Sequence, residues 1–465
     1  MKIHFIGIGG IGVSALAQYY LAKGHKVSGS DLAHSEITDF LEKKGAKLLN
    51  KTPREVDLVI YSPAVKPDKI KGAKLLSYPQ ALGELTKKYF TIAVSGTHGK
   101  STTCAMVALI LIKAGLDPTV IVGTKLKEFG KTNFRIGESD YLVIEADEWQ
   151  ASFLNYWPKI IVLTNIEREH LDYYKNLEHI LRTYKKYINH LPKDGILITN
   201  GDDKNISRIM LDRAERETPR RVAYESRIKN FSLKQKEAKK LREILKVPGE
   251  HNIYNALAAL AVARDLKIPD KISFKALSGY KGAWRRFEIK RGEINNKKFT
   301  IISDYAHHPT EIKATLEAVR QKFPNKKIWC IFQPHQYQRT FYLFNDFVRV
   351  FSGVLRRRVR LRLTRSPQDK FPIDKLIITD IYDVAGREKK EIKKKINSEK
   401  LIKKINKPEA LYLPRGKIKS YLRRNLRSGE VVIIMGAGDI YKLAERFSTA
   451  SLDILKRKRE NKSRR

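Results

Sequence analysis

The chain has 465 residues, long enough for two to four domains and a substantial core. Hydrophobic residues make up 42%, which excludes a disordered chain, and two cysteines exclude a disulfide scaffold or a cysteine-rich metal site. Lysine and arginine number 92 against 50 acidic residues, and this excess of +42 is spread along the whole chain rather than gathered in a nucleic-acid-binding motif.

The first residues, KIHFIGIGGIG, read as a buried strand and a glycine turn and not as a signal peptide. No apolar run approaches the roughly 18 residues of a membrane span, so a cytoplasmic location is expected. Gly7, Gly9 and Gly12 occupy G-x-G-x-x-G positions before the helix VSALAQYYLAKG, and a second strand ends at Asp31. That offset is close to the roughly 20 residues at which an acidic side chain meets a ribose. The pattern predicts an anionic ligand with a pyrophosphate, without saying which. Further βα units, DLVIYSPAV and KLLSY with PQALGELTKKY, complete a Rossmann-like domain over residues 1–89.

Thr91–Cys104, TIAVSGTHGKSTTC, is a strand, a glycine-bearing loop and the first turn of an apolar helix. Such a loop turns its N–H groups onto one point, at the positive end of a helix. Lys100 can reach a terminal phosphate and Ser101 can ligate Mg²⁺. The spacing departs from the common Walker pattern, which wants glycine where this chain has Val94. Strands YLVIEADE and KIIVLTNIEREHLDYY follow, leaving Glu145, Asp147 and Glu148 after one and Glu167, Glu169 and His170 after the other. Loops at one sheet edge meet, so a carboxylate and His170 near Ser101 are candidate ligands of a second Mg²⁺. GILITNGDD is another strand, residues 203–247 read as charged surface strands and helix, and HNIYNALAALAVARDL as a well-packed helix. This central domain, P-loop ATPase-like with a mostly parallel sheet, is expected over residues 90–283.

A third Rossmann-like α/β domain, 284–465, is expected from FTIISDYAHHPTEIK, KIWCIFQPHQYQRT, DKLIITDIYDV and EVVIIMGAGDI, each with polar residues after a strand. Two basic stretches stand apart: residues 355–367, with six arginines, and the tail 455–465. The first alternates charged and apolar residues like an edge strand, and the second has the composition of a solvated end.

Taken in order, HFIGIGGIGVSALA, GHKVSGSD, VSGTHGKSTT, EADEWQASFL, LTNIEREHLDYY, HNIYNALAALAVA, WRRFE, DYAHHPTEI, FQPHQYQRT and MGAGDIY resemble the Mur ligases over nearly the whole chain. These ATP-dependent enzymes build the peptide stem of the bacterial cell-wall precursor, and the resemblance is strongest to members that add the first residue. It implies three domains, ATP and Mg²⁺ as cofactors, and UDP-N-acetylmuramate and L-alanine as substrates. The runner-up is a relative that attaches a preformed peptide to the same sugar nucleotide. By this resemblance Gly96, Thr97, His98, Gly99, Lys100, Ser101 and Thr102 hold the β- and γ-phosphates, and Ser101, Glu145 and His170 hold metal. Asn252 and Asn255 match the adenine side of ATP, Arg286 a basic residue directed at the phosphates, and Asp304 a nucleotide contact. His308, a candidate general base, lies with His335 and Arg339 around the amino acid and reaction centre, while Gly9, Gly10, Gly12 and Asp31 face the UDP-sugar. Trp149-Gln150 departs from the small and acidic residues usual after EADE, and Gln336 from a frequent arginine. A nicotinamide-dependent oxidoreductase would leave GTHGKST and EADE unexplained. Charge alone predicts only weak, salt-sensitive nucleic-acid contact through the basic stretches.

Overall fold

The computed structural model describes residues 1–65, 72–216, 227–355, 372–384 and 388–449. The arginine-rich residues 356–367 and the basic tail lie outside the described residues. The described residues form three sheets, and the chain divides into two compact units. The first unit is Met1–Arg168, Tyr173–Lys246 and His251–Trp284, and the second is Glu169–Asp172, Val247–Glu250 and Arg285–Arg465.

The first unit holds two sheets. Strands β1 (Lys2–Ile6), β2 (Lys26–Ser30), β3 (Lys47–Leu48), β4 (Leu58–Tyr61) and β5 (Lys74–Ser77) form a parallel sheet ordered β3-β2-β1-β4-β5. The chain leaves β1 towards one side and later returns to the other, so the crevice opens at the end of β1, where the glycine turn lies. Helix Tyr78–Thr86 starts cleanly because Ser77 accepts from the Gln80 N–H, the Gln80 side chain answers the Ser77 N–H, and Pro79 sits in the first turn.

The second sheet comprises β6 (Phe90–Ser95), β7 (Thr119–Leu126), β8 (Thr132–Arg135), β9 (Tyr141–Ala146), β10 (Ile160–Leu163), β11 (Ile196–Asn200) and β12 (Ile228–Phe231). Its order is β12-β11-β10-β6-β9-β7-β8, and only β8 runs antiparallel to its neighbour. β6 is central and buried at five of its six residues, as a strand covered by helices on both faces must be. Ile92 and Val94 each contribute roughly 1.5–3 kcal/mol of burial. Helix Lys100–Lys113 follows, with ten of its 14 residues buried, which is why its sequence is apolar all round. Cys104 is one of them, and burial pushes its thiol well above the ordinary range, so it serves as core. The edge pair β7–β8 was not legible in the sequence, because KEFGKT between the strands masks their short apolar runs. Gln18 donates to Asn133 (2.9 Å), and Asn133 donates to Ser14 (3.2 Å) and to the carbonyl of Ile11. These bonds fasten the first helix of the β1 sheet to β8.

The second unit holds β13 (Glu288–Ile294), β14 (Lys297–Asp304), β15 (Ile328–Phe332), β16 (Lys375–Ile378), β17 (Ala410–Tyr412) and β18 (Val431–Met435), ordered β13-β14-β18-β15-β16-β17. All but β13 run parallel. β18 enters last and between β14 and β15, so the loops after these three strands converge at one end. Among the described residues no helix is long and apolar enough to cross a membrane.

Candidate functional site

In the first glycine turn Gly7 takes φ +77°, and an added Cβ would lie 2.9 Å from the Ser62 Cβ. Helix Ile11–Ala22 begins without a side-chain cap. The donor that points into the turn, the Gly9 N–H, is met by the Asp31 carboxylate at 2.8 Å. Gly10 closes the turn onto Gly7 (3.1 Å), and Gly12 packs under Tyr78, whose Cζ is 2.8 Å from a would-be Cβ. Asp31 therefore spends one oxygen on the Gly9 N–H and the other on the Leu32 N–H (2.8 Å), while its side chain stays exposed.

The second glycine loop is held from outside. Gly96 at φ +133° leaves no room for a side chain: a Cβ would sit 2.1 Å from the Thr164 hydroxyl oxygen and 2.9 Å from the Asn165 carbonyl oxygen. Gly99, at φ +83°, caps helix Lys100–Lys113 and abuts the Asn255 side chain, 2.3 Å from a would-be Cβ. The Thr97 N–H donates to the Asn165 carbonyl (2.9 Å) and the His98 N–H to its side chain (2.8 Å). Thr164 and Asn165 both donate to the His98 carbonyl, at 2.6 and 3.0 Å, and Glu167 N–H donates to the Thr97 hydroxyl at 2.8 Å. LTNIE after β10 is thus the loop's scaffold, a role that the sequence reading missed. Its signal was a run of small polar residues directly after a buried strand. His98 and Glu167 face each other at 3.6 Å. Asn255 accepts from the Thr103 hydroxyl (3.2 Å) and donates to Asn252 (3.4 Å), so both asparagines stand at the start of helix Lys100–Lys113.

Ser101 and Thr102, in the first turn of that helix, are nearly buried. Lys100 Nζ bonds the Gly96 carbonyl (2.7 Å), the Thr97 carbonyl (3.4 Å) and the Glu148 carboxylate (2.8 Å), with Asp147 at 3.9 Å. Burial works against the ammonium, but Glu148 and then Asp147 outweigh it and hold Lys100 above the ordinary lysine range. Glu145 pairs with Val94 across β9 and β6, and its carboxylate covers Gly123 of β7, 2.6 Å from where a Cβ would be. A bare glycine on the neighbouring strand therefore gives that carboxylate its place.

In the second unit Glu169 and Arg339 form a buried pair, with Nε at 2.8 Å and Nη2 at 2.7 Å from one oxygen. Burial alone would raise the carboxyl, but Arg339, followed by His170 and His308, holds it well below the ordinary carboxylate range. Arg339 also donates to the His335 carbonyl (2.9 Å), and the His335 ring stacks on Tyr382 with centroids 5.4 Å apart. The His170 N–H donates to Glu169 (3.0 Å), and His170 adopts φ +54°. Asp304 does structural work: one oxygen accepts the Phe287 N–H (2.7 Å) and the other the Ala306 N–H (2.8 Å). Arg286 lies over Tyr305 (4.8 Å) and near Glu311 (3.9 Å). Its neighbour Arg285, passed over in the sequence reading, is the more buried of the two. It donates to the Gly436 and Gly438 carbonyls and stacks against Tyr305 and Tyr441. His308 caps helix Pro309–Lys322, accepting the Thr310 N–H on Nδ1 at 3.3 Å. In the neutral ring that arrangement leaves the proton on Nε2. Burial holds the adjacent His307 neutral, with its pKa lowered to about 3.

The first unit thus supplies a glycine loop with a buried lysine at the start of a helix and a carboxylate-bearing strand edge, and the second supplies a cluster of arginine and histidine. Family models agree along the chain: the Mur ligase family catalytic domain matches residues 2–90, the Mur ligase middle domain 94–263, and the Mur ligase glutamate ligase domain 285–438. A UDP-N-acetylmuramate–L-alanine ligase from Clostridium acetobutylicum is 41% identical, over 96% of this chain and 97% of the relative. One of the same name from Aquifex aeolicus is 39% identical over 96% and 97%. The crystal structure of a UDP-N-acetylmuramate–alanine ligase from Thermotoga maritima superposes with a TM-score of 0.71 at 26% identity, covering 96% of this chain and 98% of that one. A murein peptide ligase from Psychrobacter arcticus superposes at 0.64 with 22% identity over 96% and 98%, a likeness of fold alone. The chain belongs to the Mur ligase family.

Proposed function

We infer that the chain joins L-alanine to the lactyl carboxylate of UDP-N-acetylmuramate at the expense of ATP, a step in building the peptidoglycan precursor in the cytoplasm. The observation that carries this reading is the phosphate cradle around Lys100, set in a chain 41% identical over nearly its full length to a ligase of that name. A carboxylate is a poor electrophile. Its oxygen attacks the γ-phosphorus, ADP leaves, and the resulting acyl phosphate is attacked at carbon by the amine, releasing phosphate. Phosphoryl transfer asks mainly for positioning and neutralised charge.

The residues suit that task. Gly96 and Gly99 leave a cradle that a Cβ would fill, and Lys100 stands in it with its charge protected. Ser101, Glu145 and His170 are the proposed ligands of magnesium, a hard cation that takes oxygen ligands readily and would neutralise phosphate charge. Glu145 lies over bare Gly123, which leaves its carboxylate room on that strand and fits that role. Arg286 is proposed to add positive charge at the phosphates, Asp304 to order the nucleotide-facing loop, and Asn252 and Asn255 to border the nucleotide. The Gly9–Gly12 turn and Asp31 are assigned to the UDP-sugar, and His335 and Arg339 to the amino-acid side. His308 is proposed as the base, acting at Nδ1 once that atom releases the Thr310 N–H. The domain limits 1–89, 90–283 and 284–465 are proposed with these roles. Arg356, Arg357, Arg358 and the tail are proposed to give weak nucleic-acid contact that fades as salt rises, without a part in catalysis.

Phosphate release from ATP, with UDP-N-acetylmuramate and each amino acid in turn, tests the reading. It should appear with L-alanine and be absent without the sugar nucleotide. Release driven instead by a preformed peptide would favour the runner-up. Calorimetry with the whole chain should show UDP-N-acetylmuramate binding and none for NAD.

A further inference from the structure

Glu148 is the carboxylate nearest Lys100 and one of the most buried acids in the first unit, at 2% exposure. Its backbone is fixed as firmly as its side chain. The Glu148 carbonyl accepts the Tyr174 hydroxyl at 2.5 Å and the Ala151 N–H at 2.9 Å, while the Phe153 N–H closes onto the Asp147 carbonyl at 3.1 Å. Gln150 and Ala151 both take left-handed conformations, φ +51° and +54°. Two such non-glycine residues in succession cost free energy, and such strain persists only where surrounding contacts over-determine the turn. Here the buried Tyr174 and the Lys100 pair are those contacts.

We propose that Glu148 is a positioning residue: it holds the Lys100 ammonium at the mouth of the phosphate loop and releases it to the terminal phosphates of ATP when nucleotide binds. This rests on the ligase reading above. Lys100 Nζ already has three partners, Gly96, Thr97 and Glu148, which matches its three N–H groups. A phosphate oxygen can therefore be bonded only by exchanging one of them. Glu148, the one charged partner within hydrogen-bond reach among the described residues, competes with phosphate for the same proton donor. The ammonium is a point charge on a flexible stem, suited to such an exchange. Glu148 thus weakens ground-state binding of ATP slightly and places the lysine for the transition state, the division that favours turnover.

The test uses the full-length chain and the variants Glu148→Gln and Tyr174→Phe, with the magnesium complex of ATP as the calorimetric ligand. Turnover is normalised to the measured number of nucleotide sites, so loss of folded protein does not count as loss of activity. In Glu148→Gln the competitor's charge is gone, so the Kd for ATP should fall about three- to tenfold, the worth of one net hydrogen bond. Turnover per site should drop on the order of 10²-fold, as misplacement of a catalytic group does. Tyr174→Phe, which loosens the turn and keeps the charge, should lower turnover per site less and leave the Kd within about twofold of the wild type. Glu148→Asp should recover part of the Glu148→Gln loss. Weaker ATP binding by Glu148→Gln, or turnover per site within about twofold of wild type, overturns the proposal. Absence of ATP binding or ligation in the unaltered chain would instead defeat the ligase reading.

Discussion

Each unit contains a buried cation–carboxylate pair, and the two are built differently. Arg339 in the second unit meets Glu169 through two nitrogens and uses a third for the His335 carbonyl. Lys100 in the first meets Glu148 through one ammonium that it shares with two loop carbonyls. A guanidinium is a rigid fork, and each bond it makes helps to fix the others, whereas an ammonium turns freely about its stem. The arginine pair is therefore suited to fixing a segment, here Glu169–Asp172 against helix Tyr337–Tyr342. The lysine pair is suited to keeping a charge in place until a stronger anion takes it.

The largest expected effect comes from removing the charge that moves. Lys100→Ala, made in the Glu148→Gln background so that no buried carboxylate is left uncompensated, should lower ligation on the order of 10³-fold or more. Its circular dichroism and urea midpoint should stay near those of Glu148→Gln alone. Near-normal turnover would remove the loop from the mechanism and dissolve the contrast. Removing the charge that stays should act on stability first. Arg339→Met leaves Glu169 buried without its partner and should cost about 3–5 kcal/mol in urea unfolding of the full chain. Adding Glu169→Leu should recover most of that loss, because an apolar pair replaces a buried ionic one at little cost. If the double variant is as unstable as the single, Arg339 holds something other than Glu169.

A subtler change probes the carboxylate edge. Gly123→Ala puts a methyl where the Glu145 Oε2 now lies, 2.6 Å from the new Cβ. The carboxylate must shift, and the Mg²⁺ needed for half-maximal rate should rise about tenfold, the scale of disturbed ligand support. An unchanged Mg²⁺ titration would separate Glu145 from the metal. The smallest effect belongs to the first glycine turn. Asp31→Asn can keep the bond to the Gly9 N–H, gives up the one to the Leu32 N–H and loses a charge close to where a diphosphate would lie, so the KM for UDP-N-acetylmuramate should fall about two- to fivefold. The KM for ATP should not change, and if it moves instead, the two turns have been assigned to the wrong ligands.

The two glycine turns also mark what the sequence could and could not tell. Both were legible because a buried parallel strand, a glycine loop and an apolar helix leave a strong pattern. The three sheets were legible for the same reason, since fully covered strands such as FTIAVS and VVIIM can hardly be anything else. The loop's support was not legible. Thr164 and Asn165 act through backbone and hydroxyl bonds to residues far away in sequence, and no local pattern encodes such pairing. Gly123 carries no local signal, because the Glu145 carboxylate that lies over it comes from a separate strand. Asp31 was expected to face a ligand, and the structure shows what spacing could not: its two oxygens already accept the Gly9 and Leu32 N–H groups. Arg285 and Arg286 were indistinguishable as letters. Burial separates them, because Arg285 is enclosed by Tyr305, Tyr441 and two carbonyls.

The central claim is that the phosphate loop serves to activate a carboxylate, and an oxygen label follows that step directly. UDP-N-acetylmuramate carrying ¹⁸O in its lactyl carboxylate is turned over with ATP and L-alanine, and the released phosphate is analysed by mass spectrometry. If the carboxylate attacks the γ-phosphorus and the amine then expels phosphate, each turnover carries one labelled oxygen from the sugar acid into inorganic phosphate. Unlabelled phosphate, with one labelled oxygen kept in the product amide and the other lost to water, would contradict activation by phosphoryl transfer.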